Sequence, residues 1–290
     1  IKLAEDIHAD LVMATDPDAD RVGIAVRNHK NEMILLNGNQ TAAILFYYML
    51  NRWKGLGKLK GNEFIVSTIV TTKLLPAIAT SFGVAYYECL TGFKYIADVI
   101  RQHENSMQFI VGGEESYGYL MGDFVRDKDA VSACAMIAET AAWMADQGKS
   151  MFDLLMDIYL EYGFYKEGLI SVTRKGKSGA EEIQQMMVDY RNTPPRVINN
   201  SRVTIMRDYL TLKETGADGS EKPINLPKSN VLQFVLEDGS IVSVRPSGTE
   251  PKIKFYFGVR ENLACREEFM QTEKKLDEKI AGIISSMKLK

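Results

Sequence analysis

Glu63-Phe64-Ile65-Val66-Ser67-Thr68-Ile69 is a short apolar run rich in β-branched residues, and the segments that follow it decide the fold. A helical pattern runs from Leu74 to Phe82, a second apolar strand from Val84 to Glu88, a helix from Phe93 to His103, a strand from Gln108 to Val111 and a helix from Ala130 to Gln147. Strands alternating with helices predict a parallel sheet covered by helices, an α/β architecture that places ligands outside the carboxyl ends of the strands.

Upstream, Asp16-Pro17-Asp18-Ala19-Asp20-Arg21 separates the apolar runs Leu11-Val12-Met13-Ala14 and Val22-Gly23-Ile24-Ala25-Val26, so an acidic loop is expected between two buried strands. Side chains two apart in extended chain point the same way and Pro17 stiffens the stretch, so three carboxylates can converge on one point. Oxygen-only ligands favour a hard divalent ion, Mg²⁺ or Ca²⁺, with coordination positions left for a phosphate oxygen or water. Three other readings compete. Asp and Pro are ordinary residues of a solvated turn. A calcium-sensor loop wants Gly at its sixth position and Glu at its twelfth, where this chain has Arg21 and Arg27, so that reading fails. An aspartyl-phosphate phosphatase with Asp16 as nucleophile and Asp18 as acid is chemically legitimate.

Further motifs sit at strand ends. After Val111 comes Gly112-Gly113-Glu114-Glu115-Ser116-Tyr117-Gly118, whose glycines would allow backbone close to a ligand while Glu114 and Ser116 face one pocket. A carboxylate and a hydroxyl suit sugar hydroxyls, although a polar turn reads the same way. In Arg126-Asp127-Lys128-Asp129, Asp129 is a natural N-cap, and Lys128 is a candidate to bind an anion or move a proton, against the alternative of a solvated charge cluster. Thr91-Gly92-Phe93-Lys94 lies between a strand and a helix, where amides can hold an anion or a sugar oxygen. Arg245-Pro246-Ser247-Gly248-Thr249-Glu250-Pro251 joins the strands Ile241 to Val244 and Lys252 to Phe257. It offers a guanidinium, two hydroxyls and a glycine amide, a set that suits a phosphate dianion better than a plain hairpin requires.

The 290 residues are 46% hydrophobic and 25% charged, the profile of a globular protein. A net charge of −3 without a basic stripe argues against nucleic acid as a partner, and no apolar run reaches the ~18 residues of a membrane span. Three scattered cysteines predict a reducing, cytoplasmic setting, and three histidines leave no credible Ser-His-Asp or Cys-His constellation. The Gly- and Lys-rich stretch from Gly55 to Gly61 reads as a linker, and after Gly163 the alternation is lost. The expected division is therefore 1–57, a partial domain with the acidic loop; 58–163, a mixed or parallel α/β domain; and 164–290, an α+β domain with an antiparallel sheet. The chain opens on Ile1, directly into a helix, which reads as a piece of a longer protein.

In this order, DPDADR (Asp16 to Arg21), TGFK (Thr91 to Lys94), GGEESYG (Gly112 to Gly118), RDKD (Arg126 to Asp129) and RPSGTEP (Arg245 to Pro251) resemble the α-D-phosphohexomutase family, and within it the phosphoglucomutases. The resemblance covers essentially the whole chain and implies the second domain in part, then the third and fourth of four. The family's phosphorylated serine lies in a Thr-Ala-Ser-His-Asn-Pro-like run that has no match here, which implies that the chain alone is inactive. By resemblance, Asp16, Asp18 and Asp20 would bind Mg²⁺, Asp20 and Arg21 would meet the phosphoryl group, and Thr91, Glu114 and Ser116 would hold the sugar. Lys128 would bind phosphate or move a proton, and Arg245, Ser247, Gly248 and Thr249 would hold the phosphate not being transferred. The implied reaction interconverts glucose 1-phosphate and glucose 6-phosphate through phosphoserine and glucose 1,6-bisphosphate. A phosphomannomutase, a phosphopentomutase and a non-catalytic sugar-phosphate binder stay open beside it.

Overall fold

The computed structural model describes residues 1–174, 176–248 and 250–289, which fold into two compact units, Ile1–Gly163 and Phe164–Lys290.

In the first unit, α1 (Lys2–Asp6) precedes an antiparallel sheet in the order β1 (Leu11–Thr15), β2 (Val22–Arg27), β3 (Met33–Leu36). Glu5 fastens the helix to the hairpin: its carboxylate accepts from Arg27 Nη1 at 2.9 Å and from the Met33 amide at 3.0 Å. The strands expected on both sides of the acidic loop are present, but only β2 is buried. Met13 on β1 is 39% exposed because β1 is the sheet edge and packs on one side only.

Next, α2 (Gly38–Gly55) is apolar on nearly every face, with Ala42 to Phe46, Tyr48 and Leu50 buried, as befits a helix surrounded by other elements. Asn37 and Gln40 form a reciprocal capping box at its start. It packs against α3 (Leu74–Phe82), α5 (Ala130–Ala145), α6 (Met151–Tyr162) and the second sheet. In that sheet β4 (Glu63–Thr68) lies between β5 (Ala85–Cys89) and β6 (Gln108–Gly113) in parallel, as the alternation predicts. A short antiparallel strand, β7 (Tyr119–Met121), is added at the β6 edge. On one face α4 (Phe93–His103) buries Phe93, Ile96 and Ile100 against Phe64, Val66, Cys89, Phe109 and Leu120. All three cysteines are free.

The second unit contains β8 (Phe164–Thr173), α7 (Gly176–Asn192), β9 (Val197–Ile198), β10 (Ser201–Asp208), β11 (Lys213–Gly216), β12 (Glu221–Pro223), β13 (Leu232–Leu236), β14 (Ile241–Pro246), β15 (Lys252–Glu261) and α8 (Phe269–Ser286). Among the described residues the antiparallel order is β12-β11-β10-β13-β14-β15-β8, with β9 beside β10. The ten-residue strands β15 and β8 pair along their whole length. α7 lays Tyr190 against Phe234 and Phe255, and α8 crosses closely over β8 at Gly168, where an added Cβ would come 3.1 Å from Ile280. Among the described residues no helix is long and apolar enough to cross a membrane.

Candidate functional site

The acidic loop closes on itself before it meets anything else. The Ala19 amide donates to Asp16 O at 3.0 Å and the Asp16 amide to Arg21 O at 3.2 Å, with Ala19 in the left-handed region at φ 54°. Asp16 Oδ1 accepts the amides of Asp20 and Arg21, both at 3.2 Å. Partial desolvation alone would raise the Asp16 carboxyl, yet those two amides outweigh it and hold the group below its ordinary range.

Backbone hydrogen bonds then clamp this loop to the Glu114–Ser116 loop. Val22 N donates to Tyr117 O at 3.1 Å, Arg21 and Gly118 form an isolated antiparallel bridge, and the Ala130 amide at the start of α5 donates to Ala19 O at 3.0 Å. A side chain completes the junction: Lys128 Nζ lies 3.0 Å from Asp20 Oδ2 and 3.2 Å from Asp127 Oδ1, and sits over the Phe93 ring. Burial pulls the Lys128 pKa down, but the hydrogen bonds to Asp20 and Asp127 win and raise it, so Lys128 is a cation here rather than a solvated member of a charge cluster. Arg21 Nε stands 3.6 Å from Asp20 Oδ1, and the Arg21 side chain is half exposed.

Asp16, Asp18 and Asp20 thus share one tight loop, but among the described residues no three carboxylate, His or Cys side chains are gathered closely enough to hold a metal. The residues fit a hard cation by chemistry. All donors are oxygens, Asp16 is held ionised, and Asp20 Oδ1 is buried with no hydrogen-bond partner.

Gly112 and Gly113 have a different role from the one expected. Both lie within β6, and a Cβ there would come 3.0 Å from Ile96 and 2.9 Å from Tyr119, so core packing and not ligand approach requires glycine. Beyond them Glu114, 4% exposed, accepts the Gly92 amide at 2.7 Å through Oε1. The anion at the start of α4 is therefore a carboxylate of the chain itself, which fixes Glu114 and the Thr91–Gly92 turn to each other. Thr91 Oγ1 is buried nearby in sequence with no hydrogen-bond partner, and Ser116 is half-buried. Asp129 caps α5 by accepting from Val131 N, and Arg126 pairs with Glu104 at the surface.

In the second unit, Arg245 stands on β14 directly across from Lys254 of β15. Two cations in register repel unless an anion lies between them. The following turn is tied by Ser247 N donating to Lys252 O at 2.7 Å and Glu250 N to Ser247 Oγ at 3.4 Å. Glu250 pairs with Lys252 at 2.7 Å. A pocket of about 410 Å³ opens beside it, lined by Ser247, Gly248 and Glu250 and by Gly176, Ala180 and Gln184 of α7. Thr249 lies outside the described residues.

Sequence reasoning missed Thr68, Thr71 and Glu115, whose side chains meet under the Glu114–Ser116 loop. The available signal was position, since Thr68 ends a parallel strand.

Comparison with known proteins gives consistent matches. Residues 37–162 match the family description "Phosphoglucomutase/phosphomannomutase, alpha/beta/alpha domain III", and residues 172–275 match "Phosphoglucomutase/phosphomannomutase, C-terminal domain". Phosphoglucomutase of Staphylococcus aureus strain MSSA476 is 39% identical over 267 residues, 92% of this chain and 47% of that protein. Its counterpart in strain USA300 is 39% identical over 261 residues, 90% and 46%. The chain spans about half the length of these relatives. Two solved structures share the fold. One is the open form of pp63/parafusin, a phosphoglucomutase from Paramecium, at TM-score 0.63 and 19% identity over 98% of this chain and 49% of that one. The other is a phosphoglucomutase/phosphomannomutase family protein from Burkholderia thailandensis, at TM-score 0.56 and 14% identity over 99% and 49%.

Proposed function

The chain belongs to the phosphoglucomutase/phosphomannomutase family, and from that premise we propose that it carries the metal-binding, sugar-binding and distal phosphate parts of an isomerase interconverting glucose 1-phosphate and glucose 6-phosphate. The observation that carries this reading is the clamp between the acidic and Glu114–Ser116 loops, with Lys128 on Asp20. It supports the reading by joining, within one unit, the loop of Asp16, Asp18 and Asp20, the cations Arg21 and Lys128, and the loop of Glu114 and Ser116.

The roles follow from charge and reach. Arg21, half exposed beside Asp20, and Lys128 balance negative charge on a phosphoryl group in transfer. Glu114, anchored through Oε1 to Gly92, is the carboxylate assigned to sugar hydroxyls in this reading, with Thr91 and Ser116 as the hydroxyls of the same motifs. Arg245, Ser247 and Gly248, with Thr249 between Gly248 and Glu250 in sequence, hold a phosphate within the second unit. Asp16, Asp18 and Asp20 would hold Mg²⁺, which when bound supplies positive charge to the phosphoryl oxygens. The phosphoryl donor in this reading is a phosphoserine, a context that none of the 290 residues provides. The preference for glucose over mannose rests on the aromatic Tyr117 after Ser116 and on the names of the relatives.

An NMR titration of the 290-residue chain tests the reading. Glucose 1-phosphate is expected to perturb the amides of Gly92 and Ser116 in the first unit, and inorganic phosphate that of Gly248 in the second. Turnover without any added protein would overturn the phosphoserine part. The absence of any shift with glucose 1-phosphate would overturn the whole.

A further inference from the structure

The Glu114–Ser116 loop rests on a group that the proposed function does not use. Glu115 Oε2 lies 3.3 Å from the hydroxyl of Thr68 and 3.3 Å from that of Thr71, and the two hydroxyl oxygens are 2.9 Å apart. The three oxygens form a closed triangle. Thr71 Oγ1 also accepts the Thr68 amide at 3.3 Å, and Thr68 Oγ1 the Val70 amide at 3.4 Å, which holds both hydroxyls to the carboxyl end of β4.

Proton counting decides the state of Glu115. With Glu115 ionised, two hydroxyl protons serve three oxygen–oxygen edges, so one edge sets lone pair against lone pair whichever way the hydroxyls turn. A protonated Glu115 adds the third proton, and every oxygen in the ring donates once and accepts once. The surroundings agree. The Thr68–Thr72 segment is joined to α2 by Thr72 N donating to Asn39 Oδ1 at 2.9 Å, and a Cβ on Gly38 would come 2.0 Å from the Glu115 carbonyl oxygen. The β4 end thus meets the Glu115 side chain while the start of α2 packs against its backbone. The titratable groups in the adjoining segments are Glu114 and Tyr117 on its own loop, Tyr119 on β7, and Lys73, which is paired with Glu88.

We propose that Glu115 is a positioning residue held as a neutral carboxylic acid. Its cyclic hydrogen-bonded ring with Thr68 and Thr71 sets the height and angle of the loop bearing Glu114 and Ser116. Desolvation of the half-buried Glu115 carboxyl and the neighbouring Glu114 carboxylate push it up and outweigh the hydrogen bonds from its own amide and from Thr68 and Thr71, which lower it. The effect on ligand rests on the sugar-phosphate reading above; the protonation state does not.

Infrared difference spectroscopy of the intact chain, wild type minus Glu115→Gln at neutral pH, tests the protonation directly. A carboxylic acid carbonyl band that shifts in D2O is expected, and loss of carboxylate bands with no acid carbonyl band beside the new Gln amide bands would overturn the proposal. An amide NH2 at the Oε2 position donates one N–H to each threonine hydroxyl and leaves a hydroxyl proton for the Thr68–Thr71 edge, so Glu115→Gln should keep all three contacts and the affinity for glucose 1-phosphate. Glu115→Ala removes two contacts and should weaken that affinity roughly tenfold while leaving inorganic phosphate binding unchanged. Wild-type affinity in Glu115→Ala would overturn the positioning role. If Glu115→Ala does not fold, a tenfold loss in Glu115→Gln would overturn it instead. Failure of the wild type itself to bind glucose 1-phosphate would sink the proposed function, and the carbonyl band would still decide the state of Glu115.

Discussion

Lys128 and Asp16 control the acidic loop through interactions that the sequence does not display. Lys128 Nζ, 3.0 Å from Asp20 and with its side chain only 13% exposed, competes with any cation for Asp20. Lys128→Met should therefore tighten Mg²⁺ binding by roughly threefold to tenfold while weakening glucose 1-phosphate, and calorimetry with each ligand separates the two effects. Weaker Mg²⁺ binding in that variant would mean that Asp20 is not a ligand. Asp16 gives a pH dependence. Its carboxyl is lowered in the folded chain, so its contribution to stability is complete above the ordinary value of 3.8 and is lost as pH falls through the lower folded value. Asp16→Asn should flatten that acid limb of a thermal unfolding series without changing the melting temperature's slope near neutrality. The alternating carboxylates were legible because loop spacing is local. The Lys128–Asp20 pair was not, since the two residues are 108 positions apart and are brought together by the Arg21–Gly118 bridge and the backbone hydrogen bonds Val22–Tyr117 and Ala130–Ala19.

At the scale of elements, close backbone approach explains two glycines and separates their expected costs. A Cβ at Gly38 would meet the Glu115 carbonyl at 2.0 Å, so the start of α2 and the loop that it supports must move apart. At Gly118 the Cβ would meet Lys128 Cδ at 2.2 Å, the middle of a flexible side chain that can swing away. Gly38→Ala should cost about 1 to 3 kcal/mol by denaturant unfolding. Gly118→Ala should cost much less but release Lys128 from Asp20, reproducing the Mg²⁺ effect of Lys128→Met. Equal destabilisation of the two variants would mean that backbone approach at α2 is not the constraint. The helices and parallel strands were readable because apolar periodicity is a local signal, as in α4, where Phe93, Ile96 and Ile100 recur on one face. β7 was not, because three buried residues carry no period and their antiparallel pairing to β6 is decided by the turn at Tyr117, a non-glycine residue at φ 70°. The role of Gly112 and Gly113 was misread for a related reason: a glycine pair beside a polar motif looks the same whether ligand or core side chains press against it.

For the whole molecule, each of the two units closes its own sheets and core, two sheets in the first and one in the second among the described residues, and each proposed ligand group falls within one unit. The Arg27–Glu5 tie, the α2 core and the Arg21–Gly118 bridge all lie within 1–163. The β15–β8 pairing, the α7 and α8 packing and the Arg245–Lys254 register lie within 164–290. Separately expressed pieces 1–163 and 164–290 should therefore each unfold cooperatively and divide the binding functions between them. Piece 1–163 should bind Mg²⁺, with Asp18→Asn weakening it by removing one carboxylate charge from the loop. Piece 164–290 should bind inorganic phosphate as well as the 290-residue chain does, because the like-charge pair on β14 and β15 and the Ser247–Gly248 turn come from that piece alone. Arg245→Ala removes a charge-assisted contact of about 1.5 to 3 kcal/mol there, a loss of roughly tenfold or more. Glu114→Ala in the full chain should weaken glucose 1-phosphate and leave inorganic phosphate untouched, since Glu114 belongs to the other piece. If phosphate perturbs no amide around Gly248 in 164–290, or if Arg245→Ala binds it as wild type does, then Arg245 and Lys254 face solvent rather than a ligand and the turn is an ordinary hairpin.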